Sequence, residues 1–170
     1  AELFINGKSY GKQSKNNSSL KSRYRLMWMD AVYEPGEVKV VAYNKDGKAV
    51  AEKTVRTAGK PHHIELVSNR NELTADGKDL AYVTVKVVDK DGNLCPTDSR
   101  LIHFSVKGAG KFRAVANGDP TNLEQFHLPK MHAFHGMLTA IVQAGEIAGD
   151  LVLTAKASGV KTGTVHLQAK

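Results

Sequence analysis

Between Leu80 and Asp89 the chain reads LAYVTVKVVD. Ala81, Val83, Val85 and Val87 fall on one side, and Tyr82, Thr84 and Lys86 on the other. That period of two belongs to an extended strand with one buried face and one wetted face. Asp91-Gly92 follows and supplies the positive φ of a tight connection. The alternation resumes over Leu101–Val106, with Ile102, Phe104 and Val106 on one side. A chain written this way folds into packed sheets.

The same grammar runs through the rest of the chain. Leu3–Ile5 and Lys8–Tyr10 flank Asn6-Gly7, the strongest hairpin signal present. Tyr24–Met29 alternates and is predicted as a strand, with Tyr24, Leu26 and Trp28 on one face and Trp28, the one tryptophan, read as core. Glu34-Pro35-Gly36-Glu37 has the Pro and Gly of a type II turn. Val38–Tyr43 and Ala49–Val55 then flank Asp46-Gly47. Thr57–Pro61 breaks the pattern and is taken as a boundary. Beyond it strands are predicted at Ile64–Val67, Ala81–Val88, Leu101–Val106, Phe112–Ala116, Met137–Gln143, Leu151–Ala157 and Thr164–Gln168. Seven short strands with turn signals between them describe an immunoglobulin-like sandwich. The expected fold class is all-β: two tandem antiparallel immunoglobulin-like β-sandwiches. A small module spans 1–59 and a larger sandwich 60–170. No segment reads as a helix.

Composition removes several function classes. With 41% hydrophobic and 24% charged residues the chain suits a folded globular protein. No apolar run approaches the roughly 20 residues of a membrane span. The start, AELFINGKSYG, enters a strand at once without Met or a leader, which reads as a piece cut from something longer. The single cysteine, Cys95, leaves no internal disulfide to form. The net charge of +7 is uneven. Lys8, Lys12, Lys15, Lys21, Arg23 and Arg25 occur with no acid between them. A nucleic-acid surface would interleave such cations with exposed aromatics. Only Tyr10 and Tyr24 are available, so the stretch reads as a solvated loop and no nucleic-acid partner is expected.

No segment announces catalysis. Asp46, Asp76 and Asp91 sit beside Gly in turns, where carboxylates cap backbone groups. A glycosidase-type pair would need two acids held about 5–10 Å apart across a cleft. No nucleophile elbow is present, and Cys95 precedes Pro without an evident His partner. Gly108-Ala-Gly110 resembles a dinucleotide loop but no helix follows it.

One connection stands apart. Asn117–His132, NGDPTNLEQFHLPKMH, is long for a loop in a compact domain, and loops of that length are functional or disordered. It holds Phe126, Leu128 and Met131, which predicts packing. Asn117-Gly118-Asp119-Pro120 reads as a sharp corner opening it, with direct ligand contact as the rival reading. His127, His132 and His135 lie in or beside the loop, and Asp119 and Glu124 could complete a ligand set. The spacing matches no zinc pattern, so neither a metal nor another cofactor is expected. Asn117, Gly118, Asp119, Phe126, His127, His132 and His135 are the candidate contact residues, for a neighbouring domain or a glycan.

The stretch NRNELTADGKDLAYVTVKVVDKDGNLCPTDSRLIHFSVKGAGKFRAVANGDPT, residues 69–121, resembles a C-terminal sandwich domain of glycoside hydrolase family 2 enzymes. The β-galactosidase-type, Bacteroides-like members resemble it most. ELFINGKSYG, with MDAVYEPGEVKVVAYNKDGKAVAEKTVRTAG, is similar to the small sandwich preceding it in those enzymes. Family members carry a further strand before that segment, so the resemblance implies a first module without its first strand, either lacking an edge or borrowing one. It also implies a parent that hydrolyses β-galactosides or related glycans by a retaining mechanism, using two glutamates. Those lie in a (β/α)8 barrel of about 250 residues upstream. No catalytic residue carries over to this chain. The expected partner is the catalytic barrel of the same polypeptide, and the expected location is periplasmic or extracellular. A carbohydrate-binding module using Trp28, Phe126 and Phe134 is the first alternative, and an adhesin-like spacer the second.

Overall fold

The computed structural model describes residues 1–170, all-β and without a helix. The chain divides into two compact units, Ala1–Thr57 and Ala58–Lys170.

The first unit contains β1 (Glu2–Ile5), β2 (Lys8–Lys12), β3 (Glu37–Tyr43) and β4 (Ala49–Arg56). They form one antiparallel sheet in the order β2-β1-β3-β4. Asn6 and Gly7, at φ 48 and 81, make the left-handed pair that a two-residue hairpin demands. Leu3 and Ile5 are buried on one face. The other face is wet: Glu2 accepts from Ser9 Oγ at 2.6 Å and from Tyr43 Oη at 3.0 Å. The expected small sandwich is here a single sheet.

Tyr24–Met29 is not a strand, contrary to its alternation. A strand needs a neighbour for its N–H and C=O groups. Met27 finds only a side chain, since its C=O accepts from Gln13 Nε2 at 2.7 Å and its N–H donates to Gln13 Oε1 at 3.3 Å. Trp28 is half-buried rather than core, and its indole N–H donates to the Gly11 carbonyl at 2.9 Å.

The second unit comprises β5 (His63–Ser68), β6 (Glu72–Leu73), β7 (Leu80–Val88), β8 (Leu101–Gly108) and β9 (Gly110–Ala116). It continues with β10 (Lys130–His132), β11 (Met137–Ala144), β12 (Gly149–Lys156) and β13 (Gly163–Ala169). One sheet has the order β10-β8-β12-β13-β6, the other β5-β7-β11-β9. From β7 to β12 successive strands alternate between the sheets, as a sandwich requires. Ala81, Val83, Val85 and Val87 of β7 are fully buried and meet Ile102, Leu151 and Leu153 of the facing sheet in one core. Phe104 stacks on Phe112 across the two layers, centroids 5.8 Å apart. Each such side chain contributes about 1.5–3 kcal/mol by leaving water.

Two strands were not legible. β6 pairs parallel with β13, the one parallel ladder in the unit, which also has an isolated parallel bridge between His63 and Lys161. β10 arises inside the long connection, pairing with β8 and burying Met131 completely.

Candidate functional site

The connection from Asn117 to Pro129 lies against the edge strand β9. The Val115 N–H donates to the Phe126 carbonyl at 2.8 Å, and Phe104 N–H to the Pro129 carbonyl at 2.8 Å. Between these anchors the loop and the wetted face of the sheet border a shallow, open groove of about 640 Å³. Its floor is Leu80 of β7, Ala114 of β9 and Ile141 of β11, and Leu123–His127 form the wall. Leu123 is 96% exposed and Phe126 57% exposed, so the loop holds apolar side chains in water beside that floor. Such exposure is a marker of contact with something else.

Local hydrogen bonds set the loop's shape. Asn117 Nδ2 donates to the His132 carbonyl at 2.9 Å, while its Oδ1 accepts from Asp119 N–H at 3.1 Å. Gly118 adopts φ 79. Asp119 Oδ1 accepts from the Thr121 N–H at 2.8 Å and its hydroxyl at 2.7 Å, which holds its carboxyl below the usual carboxylate range. Glu124 takes the His132 N–H and its Nδ1–H, each at 3.0 Å. Burial raises the Glu124 carboxyl, and these two bonds outweigh it, so the group ends below its ordinary value. His135 occupies a tight turn at φ 51, with Nδ1 3.2 Å from the Pro96 carbonyl and its ring 4.2 Å from Phe134.

The candidate residues thus part company. Phe126 and His127 line the groove. Asn117, Gly118 and Asp119 form the corner that opens the loop and do not line the groove, His132 is paired with Glu124, and His135 belongs to the turn before β11. No three His, Cys, Asp or Glu side chains gather in a metal-holding group.

Arg113 was missed by sequence reasoning. Ile141 pairs with Ala114 and Val142 with Phe112, leaving Arg113 as the extra residue of a bulge. A bulge re-aims the side chain it carries, and this one lines the groove. The available signal was spacing: Phe112 and Val115 both face inward but lie three apart, which a regular strand forbids.

Residues 64–166 match the glycoside hydrolase family 2 C-terminal domain 5 family, and residues 1–51 match a domain of unknown function. The chain belongs to that glycoside hydrolase family 2 C-terminal domain family. It is 43% identical over 169 residues to beta-galactosidase BoGH2A of Bacteroides ovatus, covering 99% of this chain and 19% of that enzyme. It is 27% identical over 171 residues to a beta-glucuronidase of Formosa agariphila, covering 99% of this chain and 17% of that one. Among solved structures, a glycosyl hydrolase family 2 member from Bacteroides cellulosilyticus superposes with a TM-score of 0.86 at 32% identity. That alignment covers 99% of this chain and 21% of the other. The chain spans about a fifth of the length of these relatives. Its larger unit is a glycoside hydrolase family 2 C-terminal domain, and the relatives it matches are multi-domain polypeptides about five times its length. No helix is long and apolar enough to cross a membrane.

Proposed function

We propose that this chain supports the catalytic barrel of a glycoside hydrolase family 2 enzyme by packing against the rest of the same polypeptide. The observation that carries this reading is in the first unit. There a single sheet is accompanied by Leu20, Tyr24, Met29, Val32 and Tyr33, each at least 69% exposed. Apolar side chains crowded into one segment of 14 residues and left in water mark a surface that is covered in the assembled protein. The parent hydrolyses β-galactosides or related glycans and works in the periplasm or outside the cell. Its substrate follows the named relatives, which carry both β-galactosidase and β-glucuronidase names.

The test uses the whole parent enzyme. Met29→Glu with Tyr33→Glu leaves every strand of the first unit intact and places two charges in the buried contact. The expected result is a lower Tm for the whole enzyme and faster loss of glycosidase activity on warming, with kcat/KM near normal in the cold. Unchanged thermal inactivation overturns the support role.

A further inference from the structure

We infer that the groove between the Leu123–His127 loop and the β7–β11–β9 face binds an acidic saccharide, with Arg113 receiving its carboxylate. At about 640 Å³ the groove has the volume of a small-ligand site. Its surfaces are of two kinds. Leu80, Ile141, Leu123 and Phe126 present apolar area, suited to the C–H face of a sugar ring. Phe126 supplies an aromatic face that is 57% exposed, and its backbone is held to β9 through Val115, two residues from Arg113.

Two charged side chains line the groove, and they differ in what is left free: both Glu124 oxygens are already taken, whereas Arg113 stands without a partner. Glu124 is engaged by the N–H and imidazole of His132. Arg113 takes part in no ion pair, and the bulge at Ile141–Val142 directs it to the groove. Its planar fork matches a carboxylate in bidentate fashion, which a lysine could not do. His127 and Gln125 stand on the wall as further hydrogen-bonding groups. A cation without a protein partner beside an open aromatic face selects a ring-shaped anion over a neutral sugar. The inference does not depend on the support role, since that rests on the first unit.

The experiment titrates this 170-residue chain by NMR or calorimetry with a disaccharide ending in glucuronate, and with the same disaccharide ending in glucose. The expected result is saturable binding with about tenfold preference for the glucuronate form, the size of one charge-assisted bidentate contact. Arg113→Gln removes the preference and leaves the weak neutral affinity, while Phe126→Ala weakens both. Because Arg113 is exposed and unpaired, its replacement leaves Tm unchanged. Equal binding of the two sugars overturns the proposal, as does a preference that survives Arg113→Gln. Binding of neither sugar also overturns it.

Discussion

Glu124 accepts two hydrogen bonds from one residue, the backbone N–H of His132 and its imidazole Nδ1–H, both at 3.0 Å. The pair closes the long connection across eight residues. It ties the wall of the groove to β10, whose Met131 is buried in the sandwich.

Replacing Glu124 by Gln keeps the shape and removes the charge. The contact with His132 weakens by about 1.5 kcal/mol, because the carboxamide offers one acceptor oxygen to two donors and carries no charge. Hydrogen exchange at the amides of Leu123, Gln125 and His132 accelerates while the β7 amides stay protected. Uniform acceleration through β7 would show that the pair stabilises the whole domain instead.

Met131 anchors the same loop from inside. Met131→Ala empties a fully buried position, and such truncations cost about 2–5 kcal/mol. Tm of the second unit falls, and Phe126 becomes more mobile because β10 loses its hold on β8. A ΔΔG below about 1 kcal/mol in urea unfolding would contradict the assigned packing.

Asp89 gives the fold its acid sensitivity. It is buried and accepts from Gly59 N–H at 2.7 Å, Asn93 N–H at 2.8 Å and Asp91 N–H at 2.9 Å, with the Asn93 side chain adding more. The Gly59 N–H, then the Asn93 amide, hold its carboxyl far below the usual range. The folded form therefore takes up this proton at lower pH than the unfolded chain. The contribution is complete above the unfolded carboxyl value of about 3.9 and is lost as pH falls toward the folded value. Asp89→Asn lowers Tm at neutral pH and flattens its fall between about pH 5 and about pH 2. Parallel Tm–pH curves for the two proteins would refute it.

Gly136 and Gly92 separate two costs of a methyl group. Both have left-handed backbone, at φ 73 and 83. A Cβ on Gly92 meets nothing within 4 Å, whereas one on Gly136 lands 2.3 Å from the Cys95 carbonyl oxygen. Gly92→Ala should cost about 1–2 kcal/mol, the left-handed penalty alone. Gly136→Ala should cost several kcal/mol more, because backbone rather than a flexible side chain must move. Equal denaturation midpoints would overturn this distinction.

Much of this architecture was legible residue by residue. Ala81, Val83, Val85 and Val87 were assigned to one buried face by alternation alone, and all four are fully buried. The strands at Leu101, Met137 and Leu151 were legible for the same reason. β6 and β10 were not, because two or three residues show no period. The packing of the long connection was anticipated from its apolar residues, but they divide: Met131 is fully buried whereas Phe126 remains 57% exposed. His127, His132 and His135 looked alike in sequence and have three different surroundings. Arg113 went unnoticed, since a cation on an exposed strand position is ordinary until a bulge turns it.

By itself the sequence determined what each segment can bury and where the chain can reverse. Alternating Val and Ala dictate a strand's buried face, and Asn6-Gly7 dictates a left-handed hairpin, because both depend on neighbours along the chain. Tertiary structure decided which extended segments found partners. Tyr24–Met29 carries the same alternation as β7 but makes no ladder, since backbone N–H and C=O groups are satisfied only by a strand alongside. It also decided that Glu124 meets His132 and that Arg113 meets the groove. Those contacts depend on the register of β9 against β11 and of β10 against β8, which is fixed only when both faces of the core close together.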